Sequence, residues 1–169
     1  NPDQLVQLID SANSPKIGIA IALAFFCGLR ISEVCNLKWD DIDFDLKKLK
    51  VVDSKFSMRA KTKYGKDRYV KIPDPIISPL KKWKDLVGGG KWFLVSDKSP
   101  DVPMRKKTLG ERFRIVLERA GLLIPDYDIV FKQKIFGEVK EKKVTRYKYR
   151  FHTLRHSYAT YLIDKGADI

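Results

Sequence analysis

The fold of this chain is decided by the stretch Ile17-Gly-Ile-Ala-Ile-Ala-Leu-Ala-Phe-Phe26, its most apolar run. The preceding pair Ser14-Pro15 is a helix start signal, because serine can cap backbone amides and proline fits the first turn. The run is apolar on every face, which predicts a helix at the centre of the core. Gly28 ends it, since glycine readily adopts the left-handed conformation that closes many helices. The run is shorter than the ~20 residues of a membrane-spanning helix.

Around this helix the sequence predicts a mainly α-helical domain with small antiparallel β-sheets, an α+β arrangement. Apolar residues recur at helical spacing in five further segments. These predicted helices cover residues 2–9, 31–37, 76–87, 108–120 and 152–166. A three-stranded antiparallel sheet is predicted from residues 49–52, 55–61 and 68–72. A second hairpin is predicted between residues 129 and 151, with its turn at Gly137-Glu138.

Charge is the most unusual feature of the composition. The 169 residues hold 34 lysines and arginines against 21 acidic residues, a net charge of +13. A folded domain with this excess attracts polyanions, and DNA or RNA is the leading candidate. A solubilising surface or a lysine-rich thermophilic composition is the alternative explanation. The two cysteines, Cys27 and Cys35, lie in apolar surroundings without metal-ligand spacing, so we expect free buried thiols and a cytoplasmic protein.

Two basic clusters lie far apart in the sequence. They read Gly28-Leu-Arg-Ile-Ser-Glu33 and Phe151-His-Thr-Leu-Arg-His156. In the second, His152 precedes Arg155 by three residues, which places both on one face of a helical turn. By the same spacing His156 is expected on the opposite side of Arg155, in a structural role. Arginine donates paired hydrogen bonds to phosphate oxygens and stays charged, while histidine can move a proton near neutral pH. Together the two clusters predict a binding site for one phosphate group. The net positive charge of the chain indicates that this phosphate belongs to a nucleic acid.

The chain resembles the tyrosine recombinases, the phage-integrase family, at four places. The first signature box of the family is similar to Gly28–Glu33 together with Leu37-Lys-Trp-Asp-Asp-Ile42, and the second box to His152-Thr-Leu-Arg-His-Ser-Tyr-Ala-Thr160. The family's hairpin lysine matches Lys63, in the turn before Arg68. The pattern that follows the second box in Xer recombinases and integrases is similar to residues 162–168.

This resemblance implies that residues 1–169 form a Xer-like catalytic domain that cuts and rejoins double-stranded DNA. In the family a tyrosine hydroxyl attacks the scissile phosphate, giving a 3′-phosphotyrosine link and a free 5′-hydroxyl. A 5′-hydroxyl then reverses the step, so no metal or other cofactor is expected. The resemblance also implies a homo-oligomer on DNA, a dimer or tetramer in the full-length protein.

The matched positions carry catalytic roles by the same resemblance. Arg30 and Arg155 are expected to hold the non-bridging oxygens, where charge develops. His152 is expected to hydrogen-bond the phosphate or help to take the tyrosine's proton, and Lys63 to protonate the departing 5′-oxygen. For Glu33 two interpretations stay open, orientation of Arg30 or an ion pair on the surface.

Further basic residues are expected to contact the DNA backbone, which sets affinity rather than sequence preference. In the first hairpin these are Lys61, Lys66 and Arg68, of which Lys61 and Lys66 are also alternatives to Lys63 as the catalytic lysine. In and after the second hairpin they are Lys132, Lys134, Lys140, Lys142, Lys143, Arg146, Lys148 and Arg150.

The resemblance also sets expectations about the parts of the family not found between Asn1 and Ile169. The third-box histidine or tryptophan and the nucleophilic tyrosine are expected beyond Ile169, and the N-terminal core-binding domain is expected to be absent from these residues. Tyr158 and Tyr161 are expected in the core rather than at the phosphate. The alternative functions are a non-catalytic DNA-binding module or remnant integrase, and an RNA-binding protein.

Overall fold

The computed structural model describes residues 2–52, 67–135 and 138–164 of the chain. These residues form six α-helices and two antiparallel sheets. The helices are α1 (Pro2–Asp10), α2 (Pro15–Phe26), α3 (Ile31–Asn36), α4 (Asp74–Val87), α5 (Lys106–Arg119) and α6 (Phe151–Asp164). The strands are β1 (Ile42–Asp43), β2 (Lys48–Val51), β3 (Arg68–Lys71), β4 (Pro125–Ile135) and β5 (Glu138–Tyr147). The predicted class, mainly helical with small antiparallel sheets, is confirmed.

Helix α2 occupies the centre of the core, as its apolar run predicts. It contacts each of the other five helices, and its residues from Ile19 to Phe25 are all buried. Gly28 follows its C-terminus with a φ angle of 61°, the left-handed conformation expected of a closing glycine. Cys27 and Cys35 are free and buried, and burial raises the pKa of each thiol to about 12.

The first sheet has the order β1-β2-β3, with Leu49 opposite Val70 and Val51 opposite Arg68. Two of its three predicted strands are confirmed as β2 and β3, which pair directly with each other. The third strand of the described sheet is β1, which the sequence did not predict because two residues show no alternation. The predicted strand at residues 55–61 lies outside the described residues.

The second sheet is the predicted hairpin, formed by β4 and β5 with Ile129 opposite Val144. Its first strand begins at Pro125, whereas the sequence predicted a start at residue 129. Helix α4 begins at Asp74 rather than residue 76, since Pro75 lies in its first turn, and Gly88 closes it with a φ angle of 71°. No helix in the described ranges is long and apolar enough to cross a membrane.

Candidate active site

The two basic clusters meet where α6 packs across the turn between α2 and α3. Gly28 forms that turn, and a Cβ atom on it would lie 2.5 Å from Cδ1 of Tyr158 on α6. One turn earlier on α6, Nη1 of Arg155 donates a hydrogen bond to the carbonyl oxygen of Gly28 at 2.6 Å. Gly28 therefore allows both the left-handed turn and the close approach of α6, which brings Arg155 to the segment that carries Arg30.

Helix α6 begins at Phe151 because a side chain of its own first turn caps its N-terminus. The hydroxyl of Thr153 accepts the backbone N–H of Arg150 at 3.0 Å, and Phe151 packs edge-to-face on Phe113 of α5. Phe151 and Leu154 are buried, whereas His152 is exposed. The apolar side of α6 thus fixes the direction in which His152 and Arg155 project.

Among the described residues Glu33 is the one buried charged residue, with 6% of its surface exposed. One of its oxygens, Oε1, accepts a hydrogen bond from Nη1 of Arg30 at 2.9 Å, and the other, Oε2, accepts the Arg30 backbone N–H at 2.8 Å. The same carboxylate therefore caps α3 and holds the Arg30 side chain. The carboxylate of Glu33 is buried and contacts Arg30 at two points, and its role in orienting Arg30 stays a prediction.

Arg68 is a third arginine at this carboxylate, and its position is not one that the sequence predicts. From β3 it donates Nη1 to Oε1 of Glu33 at 3.0 Å and Nη2 to Oε2 at 2.8 Å. Arg155 lies slightly further away, with Nη1 3.9 Å from Oε2. Arg68 was predicted to contact the DNA backbone, but its guanidinium is paired with Glu33 in this structure.

The electrostatics of the cluster follow from this crowding of arginines. Burial acts to raise the pKa of Glu33, but hydrogen bonds from Arg68 and Arg30 outweigh it and lower the pKa from 4.5 to about 2. Burial, together with the positive charges of Arg30 and Arg68, lowers the pKa of Arg155. Three guanidinium groups surround one carboxylate, so the cluster carries two net positive charges. Such a surface is suited to an anion.

His152 stands beside this cluster on the first turn of α6. Partial burial lowers its pKa, as do the charges of nearby His156, Arg155 and Arg30. The imidazole is therefore neutral at pH 7 and can both donate and accept a hydrogen bond. The ring of His156 lies edge-on to it, with ring centroids 4.4 Å apart. His156 was predicted on the side of Arg155 away from His152, and the structure places it in contact with His152 instead.

The remaining predicted basic residues divide by position. The three hairpin lysines, Lys61, Lys63 and Lys66, lie outside the described residues. In the second hairpin Lys132 pairs with Glu141 at 3.5 Å and Lys143 with Asp128 at 2.8 Å, so part of this charge is balanced across the strands. The predicted backbone contacts of these residues, and of Lys134, Lys140 and Lys142, stay predictions.

The base of the second hairpin lies closer to His152. Arg146, Arg150 and His152 line one depression between β5, α5 and α6. Arg114 of α5 also lines it and lies over the ring of Tyr147, 5.4 Å from its centroid. The sequence did not single out Arg114. Its signal was weak, because one arginine on the polar side of an amphipathic helix is ordinary.

Comparison with known proteins identifies the family and the fold. Residues 1–169 match the profile described as the phage integrase family, so the chain belongs to that family. It is 33% identical to a tyrosine recombinase of Thermosipho africanus over 98% of this chain and 46% of that protein. It is 29% identical to tyrosine recombinase XerA of Pyrococcus furiosus over 99% of this chain and 48% of that protein. The chain thus spans about half the length of these relatives.

Solved structures show the same fold at lower sequence identity. A crystal structure of XerA recombinase has a TM-score of 0.72 and 22% identity, covering 100% of this chain and 52% of that one. A lambda integrase dimer bound to a core site has a TM-score of 0.67 and 19% identity, covering 98% of this chain and 52% of the integrase. The predicted membership of the tyrosine recombinase family, with its catalytic-domain fold, is confirmed.

Proposed function

We propose that this chain is the part of a site-specific tyrosine recombinase that binds the scissile phosphate of double-stranded DNA. The observation that carries the proposal is the convergence of Arg30 and Arg155, 125 positions apart, on Glu33 and the Gly28 carbonyl, with His152 one turn away. A surface that only needed positive charge would not bury a carboxylate to hold its arginines, because burying a charge is unfavourable unless it is paired.

The proposed chemistry uses these groups in fixed roles. Arg30 and Arg155 bind the two non-bridging oxygens, which gain charge as a tyrosine oxygen bonds to phosphorus and the bond to the 5′-oxygen breaks. Neutral His152 hydrogen-bonds the phosphate or accepts the proton of the tyrosine. Lys63 protonates the leaving 5′-oxygen. The reverse reaction with a 5′-hydroxyl restores the diester, so the bond count is conserved.

The nucleophile in this proposal is not Tyr158. Its ring packs against Gly28, and burial raises the pKa of its hydroxyl. We therefore do not assign the nucleophile to Tyr158, and the side chain of Tyr161 lies outside those that the structure describes. The positions of the family's tyrosine, third-box residue and core-binding domain stay expectations from the resemblance.

DNA binding and assembly are proposed from charge and from the structural neighbours. Those neighbours include a lambda integrase dimer bound to a core site and a tetramer bound to a Holliday junction. With its net charge of +13, this chain is suited to the same class of ligand. Arg146 and Arg150 line the depression beside His152. These two residues and Lys148 are proposed to contact the backbone beside the break, in a homo-oligomer on duplex DNA.

The test requires a polypeptide that carries these 169 residues together with the tyrosine segment. On a nicked suicide substrate it should form a covalent protein–DNA adduct. Arg30→Ala and Arg155→Ala should each slow cleavage by about 100- to 1,000-fold while retaining most binding to the site. Arg119→Ala, an exposed arginine of α5, is the matched control and should cleave normally. Site binding without cleavage by any variant, the parent included, would favour the non-catalytic DNA-binding module.

A further inference from the structure

Arg68 differs from the other two arginines in how fully its guanidinium is engaged. Both of its terminal nitrogens donate to Glu33, one to each carboxylate oxygen. Arg30 gives only Nη1 to that carboxylate, and Arg155 gives Nη1 to the Gly28 carbonyl. In the described part of the chain, therefore, Arg68 donates both terminal nitrogens to the carboxylate, whereas Arg30 and Arg155 each use one terminal nitrogen in these hydrogen bonds.

The position of Arg68 is also fixed by its backbone. It is the first residue of β3 and lies opposite Val51 of β2, which is buried with 4% of its surface exposed. The side chain of Glu33 is 3% exposed, against 37% for Arg68. A sheet residue thus reaches a helix carboxylate that is almost closed to water, and a bidentate pair of this kind is geometrically specific.

Charge balance gives this pairing a consequence for the phosphate. If Glu33 were neutralised only by Arg30 and Arg155, these two arginines would offer a single net positive charge to an anion. With Arg68 paired to Glu33, both charges of Arg30 and Arg155 are available. A phosphodiester carries one negative charge, and its five-coordinate transition state carries about two. The two positive charges of Arg30 and Arg155 therefore match the transition state, which is the state to be stabilised.

We propose that Arg68 is a positioning residue that neutralises Glu33 and thereby leaves Arg30 and Arg155 free to bind the phosphate. This inference rests on the proposed function, because it takes the pocket to be a phosphate site. It differs from a role as a third phosphate ligand, in which Arg68 would contribute its own charge directly. The two roles predict different results when Arg68 and Glu33 are neutralised together by substitution.

The experiment is a titration of the 169-residue chain with inorganic sulfate at neutral pH and low ionic strength, followed by amide chemical shifts. Arg68→Gln should weaken sulfate binding about tenfold, because Glu33 then competes for Arg30 and Arg155. Glu33→Gln should bind at least as tightly as the parent chain. The double variant Glu33→Gln/Arg68→Gln should recover affinity to within about threefold of the parent, since the net charge of the pocket is restored.

The control is another arginine–carboxylate pair, Arg112 with Asp97. Asp97 also pairs with Lys16, which lies at the start of α2, whereas the candidate site lies beyond the other end of that helix. Arg112→Gln/Asp97→Asn should leave sulfate affinity unchanged. Arg68→Lys retains the positive charge beside Glu33 although not the paired hydrogen bonds, and should therefore lose less sulfate affinity than Arg68→Gln.

Each outcome bears on a different claim. A double variant that binds as weakly as Arg68→Gln alone would overturn the inference in favour of direct ligation by Arg68. Unchanged affinity in Arg68→Gln would also overturn it, while leaving the phosphate pocket in place. Absence of saturable sulfate binding by the parent chain would remove the pocket, and the proposed function would fall with it.

Discussion

Nη1 of Arg155 lies 2.6 Å from the carbonyl oxygen of Gly28, a hydrogen bond that spans 127 positions of sequence. It joins the start of α6 to the turn after α2, and therefore joins the second basic cluster to the first. The turn and the contact both depend on Gly28 having no side chain. The geometry of the candidate site thus depends on one glycine, and both this dependence and the burial of Glu33 can be measured.

Substitution of Gly28 by alanine should destabilise the chain by about 2–4 kcal/mol, combining a left-handed backbone penalty with a steric clash. The clash arises because the new Cβ would lie 2.5 Å from the ring of Tyr158. Urea unfolding measures the change. Gly88→Ala is the matched control, since Gly88 also has a positive φ but nothing lies within 4 Å of the position that its methyl group would occupy. Gly88→Ala should lower the free energy of unfolding by about 1 kcal/mol, the backbone penalty alone. Equal losses of stability at the two positions would contradict the packing of α6 on Gly28.

Ionised Glu33 should make stability depend on pH in the acidic range. Its pKa falls from 4.5 to about 2 on folding, so its contribution is complete above pH 4.5 and is lost as the pH falls to about 2. The contribution should be about 2–3 kcal/mol at neutral pH. Urea unfolding between about pH 6 and pH 2.5 measures this loss, which Glu33→Gln should reduce. Asp128→Asn, which changes an exposed carboxylate, should keep most of this loss of stability. Parallel curves of unfolding free energy against pH for the parent and Glu33→Gln would contradict the arginine cluster around Glu33.

DNA binding by the chain should be weak, largely independent of sequence and strongly dependent on salt. Raising salt from about 50 to 200 mM should lower affinity by at least about tenfold if several phosphates are contacted. Arg150→Ala should reduce the slope of log affinity against log salt by about one. Lys132→Ala should change it less, because Lys132 is already paired with Glu141. A slope near zero would contradict a phosphate-binding surface, and preference for RNA in competition would favour the RNA-binding alternative.

The two cysteines should be unreactive in the folded chain. Burial raises the pKa of both thiols to about 12, so the reactive thiolate is scarce at mildly alkaline pH. A colourimetric thiol reagent should therefore modify Cys27 and Cys35 slowly in the native protein and rapidly in urea. Rapid native reaction would contradict the burial of these residues beside α2 and in α3.

The sequence predicts the parts of this structure that depend on local chemistry. The central helix followed from an apolar run bounded by Ser14-Pro15 and Gly28, and the second hairpin followed from alternation around a glycine. The two-residue strand β1 could not be predicted, because it pairs with β2 without a periodic pattern of its own.

The candidate site shows the same division between local and distant contacts. Arg30, His152 and Arg155 were found from motifs, and helical spacing placed Glu33 within reach of Arg30. Whether Glu33 faced water or the core depended on Arg68, which is 35 positions away and reaches it only when β3 pairs with β2. The contact of His156 with His152 likewise required the helix geometry, since spacing relative to Arg155 suggested the wrong side.

The proposed function depends above all on Arg30 and Arg155 binding the same phosphate, with Arg68 held away from it by Glu33. A crystal structure of the chain grown or soaked with sulfate can show this arrangement directly. We expect one sulfate whose oxygens accept hydrogen bonds from Arg30 and Arg155, with His152 adjacent and Arg68 still paired with Glu33. Separate sulfates on Arg30 and Arg155, or a sulfate bound by Arg68 after release of Glu33, would contradict the claim that Arg30 and Arg155 bind the same phosphate.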